Sequence, residues 1–176
     1  MSVSIGGNPT ANDTVVTTVP LLVFGLHGER FAVKGTAVRE VVRAVAIATL
    51  PSAPEVVEGV INYRGRVVPV LDIRSRFGLP PRSLHPDQHF VVAEAGPRLV
   101  ALRVDRAFDL LDVPLDDIES AERVAPGSPH IEGVARRPEG LVVIHDLERF
   151  LSLDEGPRLD AAVRALGGSI DDAGAA

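Results

Sequence analysis

The stretch from Glu58 to Asp72, Glu-Gly-Val-Ile-Asn-Tyr-Arg-Gly-Arg-Val-Val-Pro-Val-Leu-Asp, constrains the fold more than any other part of the chain. It reads as a β-hairpin. A β-rich run reaches Tyr63, Arg64 and Gly65 supply a tight turn, and a second run leaves through Val67, Val68, Val70 and Leu71. Gly65 accepts the positive φ that hairpin turns require. Arg64 is thereby set at the tip, where a long planar cation can reach outward. A coarser echo lies 74 positions downstream. Val57-Glu58-Gly59-Val60 matches Ile131-Glu132-Gly133-Val134, and Val70-Leu71-Asp72-Ile73 matches Ile144-His145-Asp146-Leu147. The echo predicts two related halves.

Composition narrows the class. A chain of 176 residues has room for one compact domain or two small lobes sharing a core. Hydrophobic residues make up 45%, with no Trp, no Cys, one Met and one Tyr. A core of Val, Leu and Ala favours strands over long helices. Fourteen Pro and sixteen Gly suit short strands joined by many turns. A net charge of −6 argues against a nucleic-acid binder, which carries a basic stripe. Without Cys there are no disulfides and no thiolate chemistry, which fits a reducing compartment. The start of the chain lacks the pattern of a secretory signal, and the run from Ala44 to Leu50 is too short to cross a bilayer. These features predict a cytoplasmic protein.

Along the chain, residues 1–18 are rich in Ser, Thr, Gly and Asn and predict a disordered leader. Leu21 to Leu26 and Arg30 to Lys34 predict two strands about a turn at His27–Glu29. Val38, Val41, Val42 and Val45 stand at i, i+3, i+4 and i+7, predicting a short amphipathic helix capped by Thr36, although the same valines suit a strand. Ala46 to Leu50 predict a short strand. Pro69 places its strand at an edge or a barrel bend. Arg74 to Leu79 predict a helical turn, and the prolines near 80–88 an internal boundary. Phe90 to Ala95 and Leu99 to Asp105 predict a second hairpin, followed by a strand from Ala107 to Val113. Ile131 to Arg136 and Leu141 to Ile144 predict a closing pair. Asp146 to Leu153 predict the start of a helix. Leu159, Ala162, Val163 and Leu166 predict a last one, within a C-terminal piece 156–176 whose end is loose. Many short strands point to barrels or a sandwich, and the repeat converts that into two small barrels.

The hairpin Asn62-Tyr63-Arg64-Gly65, followed by an apolar strand with Pro69 inside it, resembles the signature of the CheW-like family of chemotaxis coupling proteins. The resemblance spans residues 19–155. It implies a mainly β fold of two SH3-like five-stranded barrels on a shared apolar seam, with short helices and a C-terminal helix. It also implies a non-enzymatic adaptor, without cofactor or metal, recruited to membrane-associated receptor arrays. Such a protein bridges the cytoplasmic tip of chemoreceptors, the methyl-accepting chemotaxis proteins, to the regulatory domain of a CheA-type histidine kinase. The receptor-binding residues it implies are Arg64, Glu40, Val38 and Asn62, the last shaping the hairpin. Gly59 falls where relatives approach the kinase. Tyr63 departs from the pattern, which more often has an aliphatic residue there.

The residues taken alone leave alternatives. Arg64 suits a solvated turn as well as a docking anchor, and Glu40 suits an ordinary solvated face. Gly59 and its twin Gly133 suit bulges, and Asp72 and Asp146 suit N-caps. His85 and His89 are four apart with Pro86 between them and no convincing third ligand, so they do not predict a metal site. No Gly-x-Ser-x-Gly, Walker loop, Gly-x-Gly-x-x-Gly or His-Glu-x-x-His occurs. The acidic run Asp116, Asp117, Glu119 and Glu122 lacks calcium-loop spacing. The competing readings are a small β-barrel ligand-binding protein or hydrolase using His85 or His89, or a CheW-like adaptor in a non-motility chemosensory pathway.

Overall fold

Every residue from Leu21 to Leu26 is buried, and a strand achieves that only if both its faces meet a core. The computed structural model describes residues 14–151 and 155–166. Among the described residues, eleven strands form the framework. They are β1 (Thr18–Leu26), β2 (Glu29–Lys34), β3 (Val38–Arg43), β4 (Val57–Tyr63), β5 (Arg66–Leu71), β6 (His89–Ala95), β7 (Arg98–Val104), β8 (Arg106–Pro114), β9 (Ile118–Ser120), β10 (Ile131–Arg137) and β11 (Gly140–His145). Two α-helices, α1 (Ala121–Val124) and α2 (Glu155–Ala165), and short 3-10 turns complete it. The expected leader falls mostly on residues 1–13, outside the described part, and the expected loose end on 167–176, also outside it.

The strands form two curled sheets, one ordered β8-β1-β2-β11-β10-β9 and the other β3-β6-β7-β5-β4. Alternation divides the side chains between three cores. Leu21 and Val23 of β1 join Ala32, Val113, Ala135, Val142 and Ile144 inside the first sheet. Val68, Val70, Phe90, Val92 and Ala101 do the same inside the second. The intervening residues, Leu22, Phe24, Phe31, Val33, Leu71, Val91 and Leu102, face the seam between the sheets, where Leu159, Ala162 and Val163 of α2 cover it. Each such aliphatic side chain contributes about 1.5–3 kcal/mol by leaving water.

Read position by position, the two sheet orders are the same. β3 matches β8, β6 matches β1, β7 matches β2, β5 matches β11 and β4 matches β10. The β5–β7 and β11–β2 pairs are both parallel. The predicted repeat is therefore real, but each half gives its first hairpin to the other half's sheet. The expected boundary near 80–88 separates the two repeats and not two barrels. It joins β5 to β6 within one sheet, while the chain changes sheet after β2 and after β7. The sheets also hold six and five strands, not five each. The sixth, β9, pairs with β10 over three residues. Its counterpart in the other sheet is a single bridge, Ala48 to Val60, so the strand expected over Ala46–Leu50 is reduced to one pair.

The helix expected over Val38–Val45 is strand β3. It pairs with β6, and a bulge lies between Val38 and Glu40. The extra residue restores the same facing to Val38 and Val41, which both pack on the seam core, while Val42 packs on the other side. A bulged strand thus copies the i, i+3 spacing of a helix. Thr36 lies in a 3-10 turn (Gly35–Ala37) and caps nothing. Asp146 leads a 3-10 turn, Leu147–Arg149, in place of the expected helix start. Leu166 stays exposed beyond the buried face of α2. Pro69 sits opposite Val60 on β4. Val60 directs its own N–H and C=O to Ala48, so Pro69 is in a non-hydrogen-bonded pair, and the β7 pairing begins only at Val70. The donor it lacks is not needed.

A polar hub ties the sheets together. Asp105, between β7 and β8, accepts the N–H of His27 from the β1–β2 turn (2.8 Å), the Gln88 amide (3.0 Å) and the Arg82 guanidinium (2.9 Å), and pairs with buried Arg74. Buried Arg103 donates to Asp72 (3.0 Å), to Glu58 and to the carbonyl of Arg82 (2.8 Å). Three cations and three carboxylates neutralise one another there, which is what lets charge sit at a buried seam. Burial raises the Asp105 carboxyl, but the His27 N–H, Gln88 and Arg74 outweigh it and bring it down to about 2. Burial pushes the Glu58 carboxyl above its usual range despite Arg103.

Candidate docking site

The hairpin forms as the sequence predicts. β4 and β5 pair from Val57 opposite Leu71 to Tyr63 opposite Arg66. Arg64 and Gly65 both take positive φ, 50° and 79°, the geometry of a type I′ turn. Asn62 holds the bend: its Oδ1 accepts the N–H of Gly65 at 2.8 Å. A left-handed arginine is uncommon, because its Cβ crowds the following carbonyl at about 1–2 kcal/mol.

Glu40 meets this tip from the far side of the same sheet, since β3 and β4 are its two edges. Tyr63 donates its hydroxyl to Glu40 Oε2 at 2.6 Å, and Arg64 Nη2 donates to the same oxygen at 2.8 Å. The Arg64 guanidinium also lies over the Tyr63 ring, 5.4 Å from its centroid. The Arg64 side chain is 73% exposed and that of Glu40 36%. Next to them Arg39 pairs with Glu94 of β6. The bond to Glu40 raises the Tyr63 phenol above its ordinary range. The Glu94 carboxylate likewise raises the Arg39 guanidinium. Val38 is half-buried and packs on the seam.

The structure thus brings Arg64, Glu40 and Asn62 together, with Val38 two residues from Glu40 on β3. Tyr63, which departs from the family pattern, joins the two edges together with Arg64. Gly59 stands apart. It is buried, and a Cβ there would lie within 3.0 Å of the Ala48 carbonyl oxygen. Gly133 is placed the same way under the carbonyl of Glu119. His85 sits on the exposed stretch 80–87 with Nδ1 3.4 Å from Asp87, and His89 opens β6 opposite Arg43. Among the described residues no three His, Asp or Glu side chains group as metal ligands, and no helix is long and apolar enough to cross a membrane.

Residues 20–155 match the family described as "CheW-like domain". The chain belongs to that family. The "Chemotaxis protein CheW" of Treponema pallidum is 26% identical over 145 residues, covering 79% of this chain and 85% of that protein. The "Chemotaxis protein CheW" of Rhizobium meliloti is 34% identical over 105 residues, covering 60% and 68%. The CheW-like fold is also that of the scaffolding protein TtCheW from Thermoanaerobacter tengcongensis, known from its crystal structure. That structure superposes with a TM-score of 0.72 at 28% identity, over 79% of this chain and 96% of the other. Measured against the CheW-like family, the two curled sheets and the seam between them agree with the expected pair of SH3-like barrels.

Proposed function

We propose that the chain is a non-enzymatic chemotaxis adaptor that couples chemoreceptors to a CheA-type histidine kinase. The observation that carries this reading is the Glu40–Tyr63–Arg64 group, an exposed guanidinium held at a strained hairpin tip in a CheW-like fold. Strain kept at a surface position points to use of that position by a partner. Arg64 and Glu40 present charges of both signs to the tip of a receptor bundle, Val38 lines the contact beside them, and Asn62 keeps the turn in shape.

The regulatory domain of the kinase meets the outer edge of the same sheet. Gly59 serves that contact indirectly, because only a glycine lets the segment around Ala48 lie close on β4. The protein performs no reaction of its own in this scheme. It fixes receptor and kinase in one geometry in the cytoplasm, at the receptor array, so that a shift of receptor helices is felt by the kinase.

Calorimetric titration of the chain with a receptor signalling-tip fragment tests the reading. Binding by the wild type is expected, with Arg64→Ala and Glu40→Lys each weakening it by about 1–4 kcal/mol at unchanged melting temperature. Unchanged affinity in both variants removes these residues from the site.

A further inference from the structure

Tyr63 has a part in this site that the family pattern does not assign. Its ring packs on the small core inside the sheet, so its hydroxyl is fixed with respect to β4, while Glu40 arrives from the opposite edge strand. An exposed Arg–Glu pair by itself is mobile and worth little. Here the same carboxylate oxygen takes donors from two residues, and the ring carries the guanidinium. Among the described residues the Arg64 side chain makes no other hydrogen bond, which leaves Nε and Nη1 free, and Glu40 Oε1 accepts none.

We propose that Tyr63 is the positioning residue of the docking site, its hydroxyl pinning Glu40 so that Arg64 is held ready with its Nε and Nη1 donors open to carboxylate oxygens on the partner. The inference rests on the docking reading above. A guanidinium ordered before contact loses less rotamer freedom on binding, so the gain is in affinity and not in fold stability. Removing the hydroxyl releases Glu40 from β4, and the pair becomes an ordinary mobile one.

The chain has one tyrosine and no tryptophan, so phenolate absorbance reports on Tyr63 alone. The wild-type phenol, held up by Glu40, is expected to ionise at higher pH than in Glu40→Gln. An identical titration in the two proteins overturns the lock. Tyr63→Phe keeps the ring and removes only the hydroxyl. It is expected to weaken binding of a receptor signalling-tip fragment about tenfold, the size of a charge-assisted hydrogen bond. In a Glu40→Gln background the same change should add nothing further. A wild-type chain that binds the fragment with Tyr63→Phe at equal affinity overturns the role of Tyr63 alone. A wild-type chain that binds no receptor fragment overturns the docking reading and this inference with it.

Discussion

Gly59 and Gly133, 74 residues apart, each lie beneath a backbone carbonyl, that of Ala48 and that of Glu119, closer than any side chain would permit. Both follow a bulge, between Val57 and Gly59 in β4 and between Ile131 and Gly133 in β10. The two repeats thus fold their closing hairpins against the preceding segment by one device. Gly59→Ala and Gly133→Ala should each lower stability by about 2–4 kcal/mol in urea unfolding, because the clash is with backbone that cannot rotate away. Gly78→Ala, with φ of 65° but open space around it, should lose only about 1 kcal/mol.

The Arg64 turn should show a trade between fold and docking. Asparagine tolerates the left-handed region far better than arginine, and Asn-Gly is the preferred type I′ pair. Arg64→Asn is expected to raise stability by about 0.5–1 kcal/mol while reducing affinity for a receptor tip. Asn62→Ala should do the reverse to the fold. It leaves the Gly65 N–H without its acceptor and lowers stability by about 0.5–1.5 kcal/mol.

The hub at the seam predicts which arginines matter for stability. Arg103→Met strips the cation from Glu58 and leaves Asp72 only the longer pair with Arg74, at 3.8 Å, and undercompensated charge at a buried seam of this kind costs about 3–5 kcal/mol. Arg136→Met removes the pair with Glu119 on an exposed face, which should change stability by less than about 1 kcal/mol. Urea midpoints of the two variants measure the contrast.

Acid should weaken the fold in two separate windows. His145 is wedged among Phe31, Phe77 and Phe150 with neither ring nitrogen hydrogen-bonded. Burial holds its pKa down to about 4, from the usual 6.5. The unfolded chain takes up this proton first, so stability is complete above pH 6.5 and falls between there and 4, by about 2–3 kcal/mol. Asp105, depressed from 3.8 to about 2, contributes stability that is present above pH 3.8 and lost as pH falls toward 2, about 1–2 kcal/mol. Melting temperatures of His145→Leu across pH 7 to 4 should show the first slope flattened. Those of Asp105→Asn below pH 4 should show the second removed.

Strand hairpins were legible because each carries its own local signals: a turn residue at the right place and alternating or continuous apolar runs on either side. The repeat was legible for the same reason, in the Glu-Gly pairs at Glu58-Gly59 and Glu132-Gly133. What could not be read locally is which sheet a hairpin joins. The exchange of β1–β2 and β6–β7 between the halves is set by burial on both faces at the seam, a long-range property. β3 misled because a bulge changes the parity of the valines. At the candidate site, Arg64 and Asn62 stand out in the hairpin motif and Glu40 in a separate upstream segment, whereas the bond from Tyr63 to Glu40 needs the curl that brings β3 to β4. A lone tyrosine beside the turn was the only available signal. The hub was hidden, since Arg74, Arg103 and Asp105 are scattered and resemble solvated charges in sequence.

The most direct measurement of the central claim is co-elution in size-exclusion chromatography of the full chain with a kinase regulatory domain and a receptor signalling-tip fragment. The account predicts a three-component peak, from which Arg64→Asp sheds the receptor fragment while keeping the kinase domain. Elution of the wild-type chain apart from both partners, or retention of the receptor fragment by Arg64→Asp, would contradict it.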